Sequence, residues 1–423
     1  MSTSKKFHLL LTFLCLCMML FVSACTTSSA SGTGNAGTPT TMGSTDAPGA
    51  TATTGGTSAS TPNATPTTDC PASGSARPAI MPVLQLGHDQ NIIYVDNLTA
   101  IIRRHDIQTG ADITILDQPG AVGSPQLSTD GQWILYTLVA QNTYAIQLIR
   151  VDGQDQQTLY CAPASSTIGD KTNVQWSPDQ KLVIFAQTNL NDNIISLHLL
   201  NLLTGSAQVE LTPSNANVIY QPRTWVDNTR VYVTTDGSVD GIPTTLQILD
   251  TAKGSNQPQS SLQQVVGVGD TEWDFDSTYD GSKLFVVHAD PTPGRSGPGT
   301  YCQISASTTS GQNGNLIFKS STLVPGQLRV AGSGSSTLLL SINNPGDPAD
   351  KYNGLWKVNA DGTGLVELTN QPNTLNAFSQ YPWSNVSRDN QLYSYGTSYG
   401  LLSGGALTSY TTEAAFVVGW TTM

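Results

Sequence analysis

From residue 80 onward, short apolar runs alternate with tight polar turns, and the same four-residue signal introduces run after run. It is a small residue, any residue, Asp, then Gly, Asn or Gln. Ser128-Thr129-Asp130-Gly131 precedes Trp133-Ile134-Leu135-Tyr136, and Ser177-Pro178-Asp179-Gln180 precedes Leu182-Val183-Ile184-Phe185. Each run reads as a strand, and the turn before it needs a residue that tolerates positive φ. The Asp positions are 89, 130, 179, 227, 280 and 389. A degenerate copy near Gly334 precedes Leu338-Leu339-Leu340. Most units carry a second turn, at Asp152-Gly153, Thr204-Gly205, Lys253-Gly254 and Asp361-Gly362. That turn divides a third strand such as 145–151 from a fourth such as 157–160. Beyond the N-terminus no window carries a helical apolar period.

Repeats of 41 to 55 residues with two turn signals each predict four-stranded units packed face to face in a closed ring. The expected fold is therefore an all-β propeller. Seven units imply seven blades. Six is the alternative count, if the first and last units share one blade and so close the ring. A solenoid would have shorter, more uniform repeats, and a sandwich rarely carries a period near 50.

The first residues read differently. Lys5 and Lys6 precede an apolar run from Phe7 to Val22, about 16 residues, which is short for a membrane span of about 20. It ends in Val22-Ser23-Ala24-Cys25, which resembles the bacterial lipobox. The resemblance implies a signal peptide over 1–24, cleavage before Cys25 and diacylglycerol on its thiol. The expected location is the bacterial cell membrane, lipid-anchored and facing away from the cytoplasm. Residues 25–79 carry that anchor and a Ser/Thr/Gly/Ala/Pro-rich stretch with almost no charge or large apolar side chain. Such a segment cannot offset its ordering entropy. It is expected to be a disordered tether with a mean span on the order of 40 Å. The propeller is assigned to 80–423.

Charged residues are 11% of the chain and the formal net charge is −12. Loss of Lys5 and Lys6 leaves 16 basic against 30 acidic residues, a balance that argues against nucleic acid or anionic lipid as partners. Processing also removes Cys15 and Cys17. With Cys25 acylated, Cys70, Cys161 and Cys302 remain. Cys161 ends the outer strand of the second unit, and Cys302 sits in the third strand of the fifth. A Cys70–Cys161 disulfide would staple the tether to the ring. Three independent thiols are the alternative.

The unit Gln175-Trp176-Ser177-Pro178-Asp179 followed by 182–185 resembles the Trp-Ser-Pro-Asp-Gly repeat of TolB-like and WD-repeat-like propellers. Ser128–Gly131 and Ser387-Arg388-Asp389-Asn390 are looser copies. Gln180 stands where that pattern has Gly, and the sixth unit lacks its Asp. The resemblance covers 83–420 and implies the fold, which hosts scaffolds, sensors and enzymes alike.

In such a ring the loops between second and third strands share a face with the blade-to-blade connections. The long segments 236–243, 289–300, 343–354 and 396–406 are expected there. Arg295, Tyr301, Asp350, Lys351 and Tyr352 are the candidate ligand contacts, because Arg and Tyr are favoured at binding hot spots; tolerated loop-tip insertion is the bland alternative. Glu272, Asp274 and Asp276 alternate with Trp273 and Phe275, so their carboxylates share one side of a strand. With Asp280 they could begin a Ca²⁺ site; a solvated channel wall is the alternative, and no other cofactor is indicated. His88, His105, His198 and His288 fall in no paired metal motif. There is no Gly-x-Ser-x-Gly elbow and no phosphate loop. The first functional expectation is a membrane-tethered, non-catalytic binding module for an envelope protein, peptide or glycan. The alternatives are an extracytoplasmic polysaccharide lyase or hydrolase with a channel site, which could depend on a metal, and a structural member of an envelope complex.

Overall fold

The computed structural model describes residues 65–118, 120–168, 174–237, 245–265, 273–289, 302–332, 336–344, 347, 349–371 and 384–423. All belong to the compact unit Pro62–Met423. The signal segment, Cys25 and most of the Ser/Thr-rich stretch lie outside them. Among the described residues no helix is long and apolar enough to cross a membrane.

The chain forms seven antiparallel sheets in sequence. Blade 2 is the plainest: Ala121–Leu127, Trp133–Ala140, Thr143–Arg150 and Gln157–Cys161 pair in that order. Its second strand shows why the apolar runs are continuous rather than alternating. Trp133 and Leu135 pack towards blade 3, while Ile134, Tyr136 and Leu138 pack towards blade 1. In blade 3, Val183 and Phe185 of strand Leu182–Asn189 face blade 2, and Ile184 and Ala186 face blade 4. A blade is buried on both faces, so both sets of alternating side chains are apolar. Each such side chain contributes roughly 1.5–3 kcal/mol on burial. Seven separate apolar clusters result, one at each seam of the ring. A six-bladed ring is excluded.

Closure is made by the last strand of the chain. Ala415–Thr422 is the innermost strand of blade 1 and pairs with Gln90–Asp96, which is followed outward by Ile102–Asp106 and Asp112–Leu116. Sharing between the two ends, expected for six blades, thus operates with seven. The Asp89 copy of the turn consequently closes no hairpin. The amide of Met423 donates to the Asp89 carbonyl at 3.1 Å, so the two chain ends meet where other blades have a turn. Arg388, in the blade 7 turn, fastens this junction. Its guanidinium donates to the Trp420 carbonyl at 2.7 Å and to the carbonyls of Thr129 and Ser128 in the blade 2 turn.

The repeat turns share one bonding pattern. Ser128 Oγ donates to Asp130 and accepts from the amides of Gln132 and Trp133. Ser177/Asp179, Thr278/Asp280 and Ser387/Asp389 repeat it. The residue after Asp takes positive φ whether it is Gly131 (77°), Gln180 (62°) or Asn390 (58°), so the loss of Gly at 180 is tolerated.

Blade 7 is thin. Its strands Leu392–Tyr395, Ser398–Leu401 and Thr408–Ser409 are short, and among the described residues its innermost position holds a bridge between Val386 and Tyr393. Segment 396–406 is therefore not a long loop, as its glycines suggested. A tight turn at Gly396 (φ 60°) starts the strand Ser398–Leu401, and only 402–407 is connection.

The packed region starts before residue 80. Ala76 bridges Tyr160, and the amides of Gly74 and Arg77 donate to the carbonyls of Cys161 and Leu159. Gln157 exchanges side-chain bonds with the Ile80 backbone. Residues 74–80 thus lie antiparallel along the outer strand of blade 2, covering an edge that would otherwise be open. Cys70 is bonded to Cys161 at the end of that strand.

One outer edge carries a buried acid. The blade 4 segment 256–257 donates its amides to the carbonyls of Val209 and Glu210 on the outer strand of blade 3. The Glu210 side chain is 0% exposed, accepting from Gln257 Nε2 and Gln208 Nε2 with no cation beside it. Burial pushes its carboxyl up to about 7, although both amides oppose the rise. A raised acid favours the folded state most below its unfolded value near 4.5 and loses that advantage as pH climbs to about 7. In Glu210→Gln, urea denaturation is expected to show a flatter stability profile from pH 4.5 to 7, the wild-type decline across that window being reduced by roughly 2–3 kcal/mol.

Candidate functional site

The acidic run on the innermost strand of blade 5 (Trp273–Ser277) is built into a seam rather than gathered round a cavity. Asp274 Oδ2 accepts from the Leu328 amide at 2.9 Å and from Arg329 Nη1 at 2.6 Å. Asp276 accepts from the amides of Val330 and Ser277, both at 2.8 Å. These donors, apart from Ser277, belong to Pro325–Ala331, the innermost strand of blade 6. Burial raises the Asp276 carboxyl to about 7 against the opposing pull of Arg329 and the two amides. Arg223 of blade 4 stands farther off, 3.8 Å from Asp274, with its guanidinium over the Phe275 ring. Asp280 belongs to its own turn: Thr278 and Ser282 donate to it and hold its carboxyl down to about 2. Asp274, Asp276 and Asp280 are therefore each engaged by protein donors. Glu272 lies outside the described residues, and no group of three or more metal-type ligands forms among those described.

Of the loop candidates, Arg295 and Tyr301 lie outside the described residues. Asp350 is consumed in shaping its loop, accepting from the Tyr352 amide at 3.0 Å and from Asn344 Nδ2 at 2.9 Å. Tyr352 packs on the blade 5–blade 6 cluster beside Trp356. Lys351 is exposed, its ammonium 4.8 Å from the Tyr352 ring centre. The described histidines are dispersed. His88 is exposed, His198 is stacked on Phe185 and pushed down to about 4 by burial, and His288 belongs to blade 5. The free thiol of Cys302 is buried and raised to about 12.

A groove at the seam between blades 7 and 1 is the place where polar chemistry converges. A cavity of about 370 Å³ lies between blade 1 and the segment that follows the last strand of blade 7. Tyr94, Arg103 and Asp112, from three successive strands of blade 1, line one wall. Asp96 stands at its end, and Ser409–Glu413 of the connecting segment form the other wall. Tyr94 Oη donates to Asp112 Oδ1 at 3.1 Å, and His105 Nδ1 meets the same oxygen at 3.1 Å. Burial, reinforced by Asp112, raises the Tyr94 phenol to about 12, so it serves as a donor. Tyr410 packs on Tyr94 at 5.1 Å between centroids and is fixed by its hydroxyl bond to the Gly396 carbonyl. Asp96 Oδ1 accepts the amides of Leu98 and Thr99, which shapes the loop at the groove's end. Burial works to raise Asp96, but these bonds outweigh it and leave its carboxyl below the usual range.

Sequence reasoning did not single out this groove. Its one local trace is the run Arg103-Arg104-His105 inside a strand. Its walls otherwise meet only through ring closure.

No family model matches the sequence, and no curated protein matches it significantly. Similar folds occur among solved structures. An oligogalacturonate lyase from Vibrio parahaemolyticus is 8% identical with a TM-score of 0.53, over 82% of this chain and 98% of that one. TolB from Acinetobacter baumannii is 14% identical with a TM-score of 0.44; 65% of this chain and 62% of TolB are covered, so the chain spans under two thirds of that protein. A protein of unknown function from Desulfotomaculum acetoxidans is 12% identical at 0.48, over 79% of this chain and 99% of that one. At these identities the likeness is one of fold: a β-propeller.

The blade 5–blade 6 seam gives a direct test of the acidic run. Arg329→Met leaves Asp274 and Asp276 buried without their cation and is expected to cost about 3–5 kcal/mol in chemical denaturation. Adding Asp274→Asn should recover part of that loss, a non-additivity that a double-mutant cycle reads directly.

Proposed function

We propose that this chain is a lipid-anchored, extracytoplasmic β-propeller that acts as a binding module in the bacterial envelope, recognising a peptide, protein or glycan without turning it over. The observation that carries the reading is the Cys70–Cys161 bond, which ties the lead-in to the outer strand of blade 2. Disulfides of this structural kind persist in oxidising compartments. This one lies 45 residues beyond the lipobox-like Cys25, so the lead-in that carries the anchor would leave the ring at a fixed, covalently secured point. The blade 7–blade 1 groove supplies a ligand site on the same unit. Its volume is at the lower end of the ~300–1,000 Å³ typical of ligand pockets. Its Tyr94, His105 and Asp112 are bonded to one another rather than arranged as a nucleophile and base. A lyase reading borrows from the Vibrio parahaemolyticus enzyme only its fold, and His105, His198 and His288 lie in three different blades of this chain.

The test is fractionation of cells expressing the full chain and Cys25→Ser. The wild type is expected in the membrane fraction, labelled by radioactive palmitate and released by detergent. The variant should be unlabelled and should leave that fraction. Membrane retention of an unlabelled Cys25→Ser protein would overturn the anchor.

A further inference from the structure

The charges in the blade 7–blade 1 groove are held apart, not paired. Arg103 is half-buried in the wall. Among the described residues its guanidinium makes one long hydrogen bond, to Thr114 Oγ1 at 3.3 Å, and no ion pair. Yet three carboxylates, Asp96, Asp112 and Glu413, line the same cavity. A guanidinium has five donors in a planar fork that suits a carboxylate two-pronged, and this one has nearly all of them to spare.

At the loop end the arrangement is complementary. Asp96 pairs with Ala415, and the Asn97 amide donates to the Ala414 carbonyl at 2.9 Å, which brings Glu413 to the same end of the groove. Asp96 is 3% exposed, while Glu413 is exposed at the rim. Carboxylates gathered at one end of a cavity favour a cation there. Asp112, on the same wall as Arg103, is already engaged by Tyr94 and His105. Ser409, Thr411 and Thr412 add neutral polar groups along the connecting segment.

We infer that this groove binds a small zwitterion carrying a primary ammonium and a carboxylate, the class of short free peptides, with Asp96 and Glu413 taking the ammonium and Arg103 the carboxylate. Both ends are needed: the ammonium meets the carboxylates of Asp96 and Glu413, and the carboxylate satisfies an otherwise under-used guanidinium. This deepens the reading of the chain as a binding module, and it fails independently of the membrane anchor.

The experiment is thermal unfolding and calorimetric titration of the full chain in detergent. The probes are a set of dipeptides with small, apolar, acidic and basic side chains, the same set N-acetylated, the same set C-terminally amidated, and CaCl₂. At least one free dipeptide is expected to raise the midpoint by mass action, with blocking either end weakening affinity by roughly tenfold or more. Arg103→Met should remove the preference for a free carboxylate, and Glu413→Gln the preference for a free ammonium. Arg103→Met should not shift the ligand-free midpoint appreciably, because Arg103 makes one long bond. The inference is overturned if no free dipeptide binds at millimolar concentration, or if blocked and free forms bind alike. It is also overturned if Ca²⁺ alone binds and Glu413→Gln abolishes this while Arg103→Met does not, which marks a cation site instead.

Discussion

A ring of sheets has to close, and here closure rests on pairing the two ends of the chain. Ala415–Thr422 lies against Gln90–Asp96, so the first blade is not a blade until the last residues are in place. Every other seam is made between neighbours in sequence, whereas this one spans the whole repeat region and bears the loop-closure entropy. Arg388 stands where that cost falls. Its guanidinium reaches carbonyls on the closing strand and on the blade 2 turn, so one half-buried cation joins blades 7, 1 and 2. The cluster at the closing seam is built round Ile92, Tyr94, Tyr410, Val417 and Trp420, and the groove lies beside it.

The fold was legible because its information is local. In the turns at Ser128, Ser177, Thr278 and Ser387 a hydroxyl and an Asp two residues on satisfy nearby amides, all within five residues. Such a pattern survives in sequence even when Gln180 replaces glycine. Continuous apolar runs such as Trp133–Tyr136 reported burial on both faces, which sets a blade apart from a half-exposed sheet. What misled was composition. The glycines of 396–406 read as loop but allow a tight turn and a short strand. The small residues before position 80 read as tether throughout, although 74–80 pair with blade 2 through their backbone, which composition does not record.

The candidate sites were less legible for the same reason. The acidic run at 272–276 was visible, but its meaning lies one repeat downstream: Leu328 and Val330 are each 54 residues beyond the carboxylates they bond. A partner displaced by one repeat is invisible to any local motif, though the period itself says where to look. The groove is harder still. Arg103 and Glu413 are more than 300 residues apart in sequence, and no spacing rule links them. Only the closed ring brings them to one cavity.

The disulfide at the end of blade 2 also sets the path that mechanical load takes through the molecule. A pull from the N-terminal side reaches Cys70 and crosses directly into Cys161, the end of a fully paired outer strand. Without that bond the same force would run on along the chain, peel 74–80 from the edge and arrive at Gln90–Asp96, the strand on which closure depends. The crosslink diverts tension into a blade whose hairpins are continuous in the chain. The closing seam, and the groove beside it, are thereby kept off the line of force.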